Sequence, residues 1–84
     1  MKYEVILKRS AEKELDRLEG NVFHRVARRL EELETNPRPM GVKKLSGQDA
    51  YRIRAGDYRV LYEIDDSGKM VLVFAVRHRR EAYR

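Results

Sequence analysis

Hydrophobic and polar positions alternate near both ends of the chain and recur at helical spacing in between. Tyr3, Val5 and Leu7 alternate with Lys2, Glu4 and Ile6, which predicts a strand over residues 2–7 with one clearly apolar face. Ser10 stands where a helix N-cap is expected, followed by Glu12 and Glu14 in a first turn where the helix dipole favours negative charge. Ala11, Leu15 and Leu18 form the apolar stripe of this short helix, and Gly20 is its expected end. Asn21 can cap a second helix. There Val22, Phe23, Val26, Ala27, Leu30 and Leu33 fall at helical spacing, with Arg25, Arg28, Arg29, Glu31 and Glu32 on the other side. Thr35-Asn36-Pro37 stops it, because the residue before a proline disfavours the helical region.

Residues 36–48 hold both prolines and two of the five glycines, and read as a basic loop. Strict alternation returns at Tyr51-Arg52-Ile53-Arg54, and Ala55-Gly56 predicts a tight turn. From Tyr58 to Ile64, Tyr58, Val60, Tyr62 and Ile64 share one face, opposite Arg59, Leu61 and Glu63. Asp66-Ser67-Gly68 predicts a hairpin turn. Met70 to Val76 is apolar on both faces, as a central strand is. The predicted architecture is α+β: a two-layer β-α-α-β-β-β domain over residues 1–84. A helical hairpin covers one face of a four-stranded, mainly antiparallel sheet, and the first strand adds beside the apolar one.

An 84-residue chain supports one small core and no separate cofactor domain. Cysteine is absent, which excludes disulfides, thiolate metal sites and a cysteine nucleophile. The N-terminus runs straight into the strand pattern without a signal-peptide or membrane-spanning stretch, so a cytoplasmic location is expected, with no membrane partner. The net charge is +5, and its placement changes the picture. Residues 1–37 carry 8 Lys/Arg against 8 Asp/Glu, whereas residues 38–84 carry 11 against 6, so the whole excess lies in the second half. There Arg outnumbers Lys 8 to 3, and guanidinium forks match phosphate oxygens where ammonium groups act as point charges.

With Tyr51, Ile53, Tyr58, Val60, Tyr62 and Ile64 turned to the core, period two gathers Arg52, Arg54 and Arg59 on the other side of the sheet. Arg77 and Arg79 share one parity of the last strand and His78 has the other. Like charges this close repel, and a bound polyanion would relieve the repulsion. The plainer reading is a solvated face with Asp57 or Glu63 as partners. Tyr51, Tyr58 and Tyr62 read as packing, His24 as structural or surface. The acidic clusters Glu12, Glu14, Asp16 and Glu31, Glu32, Glu34 read as ordinary salt-bridging faces. The two histidines are 54 positions apart without metal-ligand spacing, and the basic face lacks the acidic cluster of a two-metal nuclease. Neither a glycine-rich phosphate loop nor a nucleophile-elbow serine is found. A nuclease built on this pattern is expected to work without metal or other cofactor.

The segment Tyr51-Arg52-Ile53-Arg54-Ala55-Gly56-Asp57-Tyr58-Arg59-Val60-Leu61-Tyr62 resembles the RelE/ParE toxin superfamily, as does the terminal His78-Arg79-Arg80-Glu81-Ala82-Tyr83-Arg84. Lys44-Leu45-Ser46-Gly47 matches the loop that precedes the second strand in that family. The resemblance implies a RelE-type toxin of a type II toxin–antitoxin system. Such a protein is an endoribonuclease that cuts mRNA in the ribosomal A site, the ribose 2′-OH attacking the adjacent phosphate. That reaction needs a base, charge stabilisation at phosphorus and a proton for the leaving oxygen.

By the same resemblance Arg59 and Arg79 stabilise the phosphate, and Tyr83 stacks on or orients the cleaved nucleotide and can take part in proton transfer. Arg52 and Arg54 fall where some relatives carry lysine. An arginine hardly deprotonates, so they are expected to bind phosphate, which leaves His78, Tyr83 or a bound water as the base. Arg77 can stand in for Arg79, and Lys43, Lys44, His78 and Arg80 join Arg77 as expected RNA contacts. The implied partners are mRNA, the 30S A site and an acidic antitoxin, with which the toxin can form a hetero-oligomer on operator DNA. Two other readings share the fold: a ParE-type poison of DNA gyrase, and a catalytically inactive relic serving as corepressor with its antitoxin.

Overall fold

Alternation along one strand decides which side of the sheet is covered. In the computed structural model, which describes residues 2–80, this is β4 (Tyr58–Asp65). Before it come β1 (Glu4–Leu7), α1 (Arg9–Asp16), α2 (Gly20–Thr35), β2 (Lys43–Lys44) and β3 (Tyr51–Ala55), and after it β5 (Met70–His78). The strands form one sheet in the order β1-β5-β4-β3-β2, parallel only between β1 and β5. Val60 and Tyr62 point to the helices and are fully buried, beside Ile53 of β3 and Val71, Val73 and Val76 of β5. Onto this side α1 lays Ala11, and α2 lays Val26, Leu30 and Leu33. Each fully buried Val, Leu or Ile contributes about 1.5–3 kcal/mol to holding the layers together.

The α+β two-layer architecture follows the sequence pattern, with one more strand than expected. Lys43 and Lys44 pair antiparallel with Arg52 and Tyr51 and make the sheet five-stranded rather than four-stranded. Two residues are too few to display an alternation, so the pattern leaves them in the loop. The helix starts also shift. α1 begins at Arg9 with Lys8 in the N-cap position, so Ser10 lies inside the first turn and caps nothing. The cause is the sheet: the Lys8 N–H donates to the Val73 carbonyl (2.8 Å), while its own carbonyl accepts the Glu12 N–H (2.9 Å). α2 begins at Gly20 with Glu19 at its N-cap, and Asn21 lies within it. Gly20 keeps its turn role, with φ +56° where a side chain would be strained. At the β4–β5 connection the positive φ falls on Lys69 (55°) and not on Gly68, whose N–H donates to Asp65 Oδ1 (3.0 Å).

β5 changes parity partway. Leu61 faces Ala75 but Tyr62 faces Val73, so Phe74 is an extra residue in the ladder. This bulge lets Val73 and Val76, which have opposite parity, both reach the core.

The end of the sheet near residue 66 is held by polar contacts. The Tyr62 hydroxyl donates to the Pro37 carbonyl (2.7 Å) in a buried setting, and burial raises its pKa, so it stays a donor. The Arg38 guanidinium forks onto Asp66 (3.2 and 2.9 Å) and lies 5.2 Å from the centre of the Tyr51 ring, while the Tyr3 hydroxyl donates to Asp66 Oδ1 (2.7 Å). Arg38 and then Tyr3 hold the Asp66 carboxyl down to about 2, below its ordinary 3.8.

Two measurements check this end. Tyr62→Phe leaves the buried Pro37 carbonyl without its donor and should lower stability by about 1–3 kcal/mol in urea unfolding, with an unchanged m-value. Asp66 is depressed in the folded state, so its stabilisation is full above its ordinary pKa and is lost as pH falls through about 2. Wild type should therefore melt above Asp66→Asn at neutral pH, with the gap closing only in strong acid. A gap that is already closed at pH 4 would show that the network does not stabilise the fold.

Candidate nucleic-acid interface

The helices cover one side of the sheet, and the other side inherits the alternate residues. Strand register fixes their rows. Arg54 of β3, Arg59 of β4 and Arg77 of β5 lie directly abreast. Adjacent strands are separated by roughly 4.8 Å, so the three α-carbons span roughly 10 Å. The next row on this face is Lys43, Arg52, Leu61 and Ala75, then Glu63, Leu72 and Ile6, and finally Asp65, Met70 and Glu4. The face thus grades from three guanidinium groups at the β3–β4 turn, through apolar residues, to carboxylates at the β4–β5 turn. A polyanion on this face is directed to the arginine end.

The three arginines differ in setting. Arg59, on the central strand β4, is only 4% exposed. Arg54 is exposed, and its backbone carbonyl accepts a hydrogen bond from Arg29 Nε of α2 (3.0 Å). Arg77 is exposed and lies with its Nε 3.4 Å from Glu14 Oε2 of α1. The other oxygen of Glu14 accepts the Val76 N–H (3.0 Å). The four-residue β1 pairs with β5 only as far as Val73, so α1 runs beside the rest of β5 and its carboxylate takes the place of a strand partner.

The remaining sequence-predicted residues distribute as follows. Arg52 and Lys43 share the face of the arginine row. Arg79 is next to the β3–β4 turn, its N–H donating to the Asp57 carbonyl (2.8 Å), so Arg77 and not Arg79 stands abreast of Arg59. Lys44 has the opposite parity to Lys43, and its ammonium is 3.9 Å from Asp49. His78 pairs with Tyr58 on the helix side and meets its ring edge-on at 5.3 Å, away from the arginines. Arg80 is exposed, and its N–H donates to His78 Nδ1 (3.3 Å). Tyr83 lies outside the described residues. By its sequence context Glu14 belongs to an ordinary salt-bridging face. The signal that distinguishes it is the mismatch between a short first strand and a long last one. Among the described residues, no three His, Asp or Glu side chains gather as a metal site requires, and no helix is long and apolar enough to cross a membrane.

This fold and face have known counterparts. The family described as the ParE toxin of the type II toxin–antitoxin system parDE matches residues 5–83, and the chain belongs to the RelE/ParE toxin superfamily. Its relatives include RelE toxins. The chain is 30% identical over 88 residues to the putative toxin RelE1 of Methanocaldococcus jannaschii, covering 100% of this chain and 98% of that protein. Its backbone is similar to a chain of the archaeal RelE–RelB complex from Pyrococcus horikoshii OT3, with a TM-score of 0.84 and 32% identity over 94% of this chain and 97% of that one. It is similar also to the isolated E. coli RelE toxin, with a TM-score of 0.79 and 28% identity over 96% and 95% of the two chains.

Two substitutions at Glu14 test its place in the ladder. Glu14→Gln keeps an oxygen for the Val76 N–H and should leave stability within about 0.5 kcal/mol. Glu14→Ala removes the acceptor as well and should cost about 1–3 kcal/mol in urea unfolding. Equal stability of the two variants would show that the carboxylate does not replace a strand partner.

Proposed function

We propose that the protein is a RelE-type toxin that cleaves mRNA in the ribosomal A site without a metal ion. The observation that carries this reading is the row Arg54, Arg59 and Arg77, three guanidinium-bearing positions abreast on the face of the sheet opposite the helices. In the reaction the ribose 2′-oxygen forms a bond to phosphorus, the bond from phosphorus to the 5′-oxygen breaks, and a proton passes from the 2′-OH to a base while another reaches the 5′-oxygen. The transition state carries extra negative charge on the phosphoryl oxygens. Arg59, buried and fixed on the central strand, is suited to meet that charge, because preorganised donors withdrawn from water act more strongly than solvated ones. Arg54 and Arg77 bind the flanking phosphates from either side, and Arg52 and Lys43 extend the contact by one row. Arg79 approaches from the turn.

The arginines supply charge and no base. His78 faces Tyr58 on the helix side, which leaves Tyr83 and groups supplied by the ribosome to move the protons. Dependence on the ribosome accords with so small a catalytic inventory. The counterparts crystallised as RelE–RelB complexes support an antitoxin partner. An acidic, amphipathic antitoxin segment would suit this face, pairing its charge with the arginine rows and its apolar side with Ile6, Met70 and Leu72. The matching family's description as ParE favours a second reading, a DNA gyrase poison that cuts nothing.

A translation reaction with purified protein, followed by primer extension on the mRNA, separates the two. Discrete cuts that survive EDTA are expected from the wild type. Arg59→Ala should reduce their rate by about 10²-fold or more, and Tyr83→Phe should also weaken them. Intact mRNA, with loss of gyrase supercoiling instead, would replace the nuclease reading by the second one.

A further inference from the structure

Beyond the sheet face, a second concentration of arginine lies around the edge of β3. Arg25, Arg28 and Arg29 of α2 and Arg54 of β3, with His24 and Asn21, line an open groove of about 590 Å³ to which no carboxylate contributes among the described residues. Among the described residues Arg29 is paired with Glu32 (2.6 Å), but neither Arg25 nor Arg28 forms an ion pair. The groove is built and not merely a set of loose side chains. Arg29 Nε is fixed on the Arg54 carbonyl, and the Arg25 guanidinium lies against Gly56 so closely that a β-carbon there would meet its Nη1 at 3.1 Å. β2 covers the edge of β3 only at Tyr51 and Arg52, so no strand separates the groove from Arg54. Arg54 therefore belongs both to the row on the sheet face and to the groove on α2.

We propose that this groove is a second phosphate-binding site, which holds the backbone of the same single RNA strand whose scissile phosphate lies on the arginine row. The inference rests on the RNA reading of that row and adds a path: the strand turns over the β3 edge at Arg54 and continues along Arg25 and Arg28. Repeating phosphates match forked donors spaced along a helix, and release of counterions drives the contact. The alternative polyanion is an acidic protein segment that docks through an apolar stripe. This groove offers such a stripe little beyond Ala55, whereas the sheet face offers Ile6, Met70 and Leu72.

The test is fluorescence anisotropy with labelled single-stranded oligouridylates of four and of twenty nucleotides, titrated at several salt concentrations. The proteins are wild type, Arg59→Ala, Arg28→Gln, the pair Arg25→Gln/Arg28→Gln and the pair Arg25→Lys/Arg28→Lys. For the twenty-mer, the glutamine pair should weaken binding on the order of tenfold and reduce the slope of log K against log salt by about 1.4, with about 0.7 for Arg28→Gln alone. The lysine pair should retain the slope. Binding of the four-mer should be unchanged in all of these and lost in Arg59→Ala. An unchanged twenty-mer slope in the glutamine pair, with Arg59→Ala still inactive in binding, overturns the groove and leaves the nuclease reading standing. Full four-mer binding by Arg59→Ala overturns the row and the groove together. If the glutamine pair loses only a labelled Asp/Glu-rich twenty-residue peptide, the groove belongs to an acidic protein and the RNA path is overturned.

Discussion

Ile53, Val60 and Val76 lie side by side on β3, β4 and β5, each almost wholly withdrawn from water. Two helices can cover only one side of a sheet, so this row has one acceptable orientation. Slipping β3 or β5 by one residue against the helices would turn Arg52, Arg54 or Arg77 into the core, where an unpaired charge is far more costly than any lost methyl contact. The placement of the arginine row is thus not a separate achievement of the fold. It follows from the hydrophobic row beside it, one residue along each strand.

The two ends of the sheet solve different problems. At the β4–β5 turn, Arg38, Asp66, Tyr3 and Tyr51 bind the loop after α2 to the strands, and Tyr62 reaches through the core to the Pro37 carbonyl. At the other end the sheet needs no such clasp. The short β1 gives way to α1, and Glu14 completes the ladder of β5 while neutralising part of the charge on Arg77. That leaves Arg59 as the most enclosed cation of the row, with exposed cations on either side.

Much of this was legible in the chain. The alternation from Tyr58 to Ile64 correctly separates the core face from the opposite one, and the helical hairpin and the pairing of first and last strands follow from patterns that burial imposes. What escaped had physical reasons. Met70 to Val76 is apolar on both faces, so no alternation is there to reveal the bulge at Phe74. Ser10 and Asn21 are good caps by composition, but the sheet bond at Lys8 and the turn at Gly20 set where the helices begin. Arg38 looked like one more basic residue in a basic loop, because nothing local marks Asp66, 28 positions away, as its partner. Arg25 and Arg28 lay in a half of the chain with no net charge, and only the fold brings them to Arg54.

The parallel pairing of β1 with β5 carries a temporal consequence. Glu4 to Leu7 cannot find their partners until Met70 to Val73 have been made, so until then the sheet of a nascent chain lacks an edge. The arginine row suffers the same delay, since Arg77 comes later still. Long-range closure of this kind slows folding and postpones it until both segments have been made. The strand that receives β1 is also the one that brings Arg77 beside Arg59, so closing the sheet and completing the arginine row depend on the same late segment.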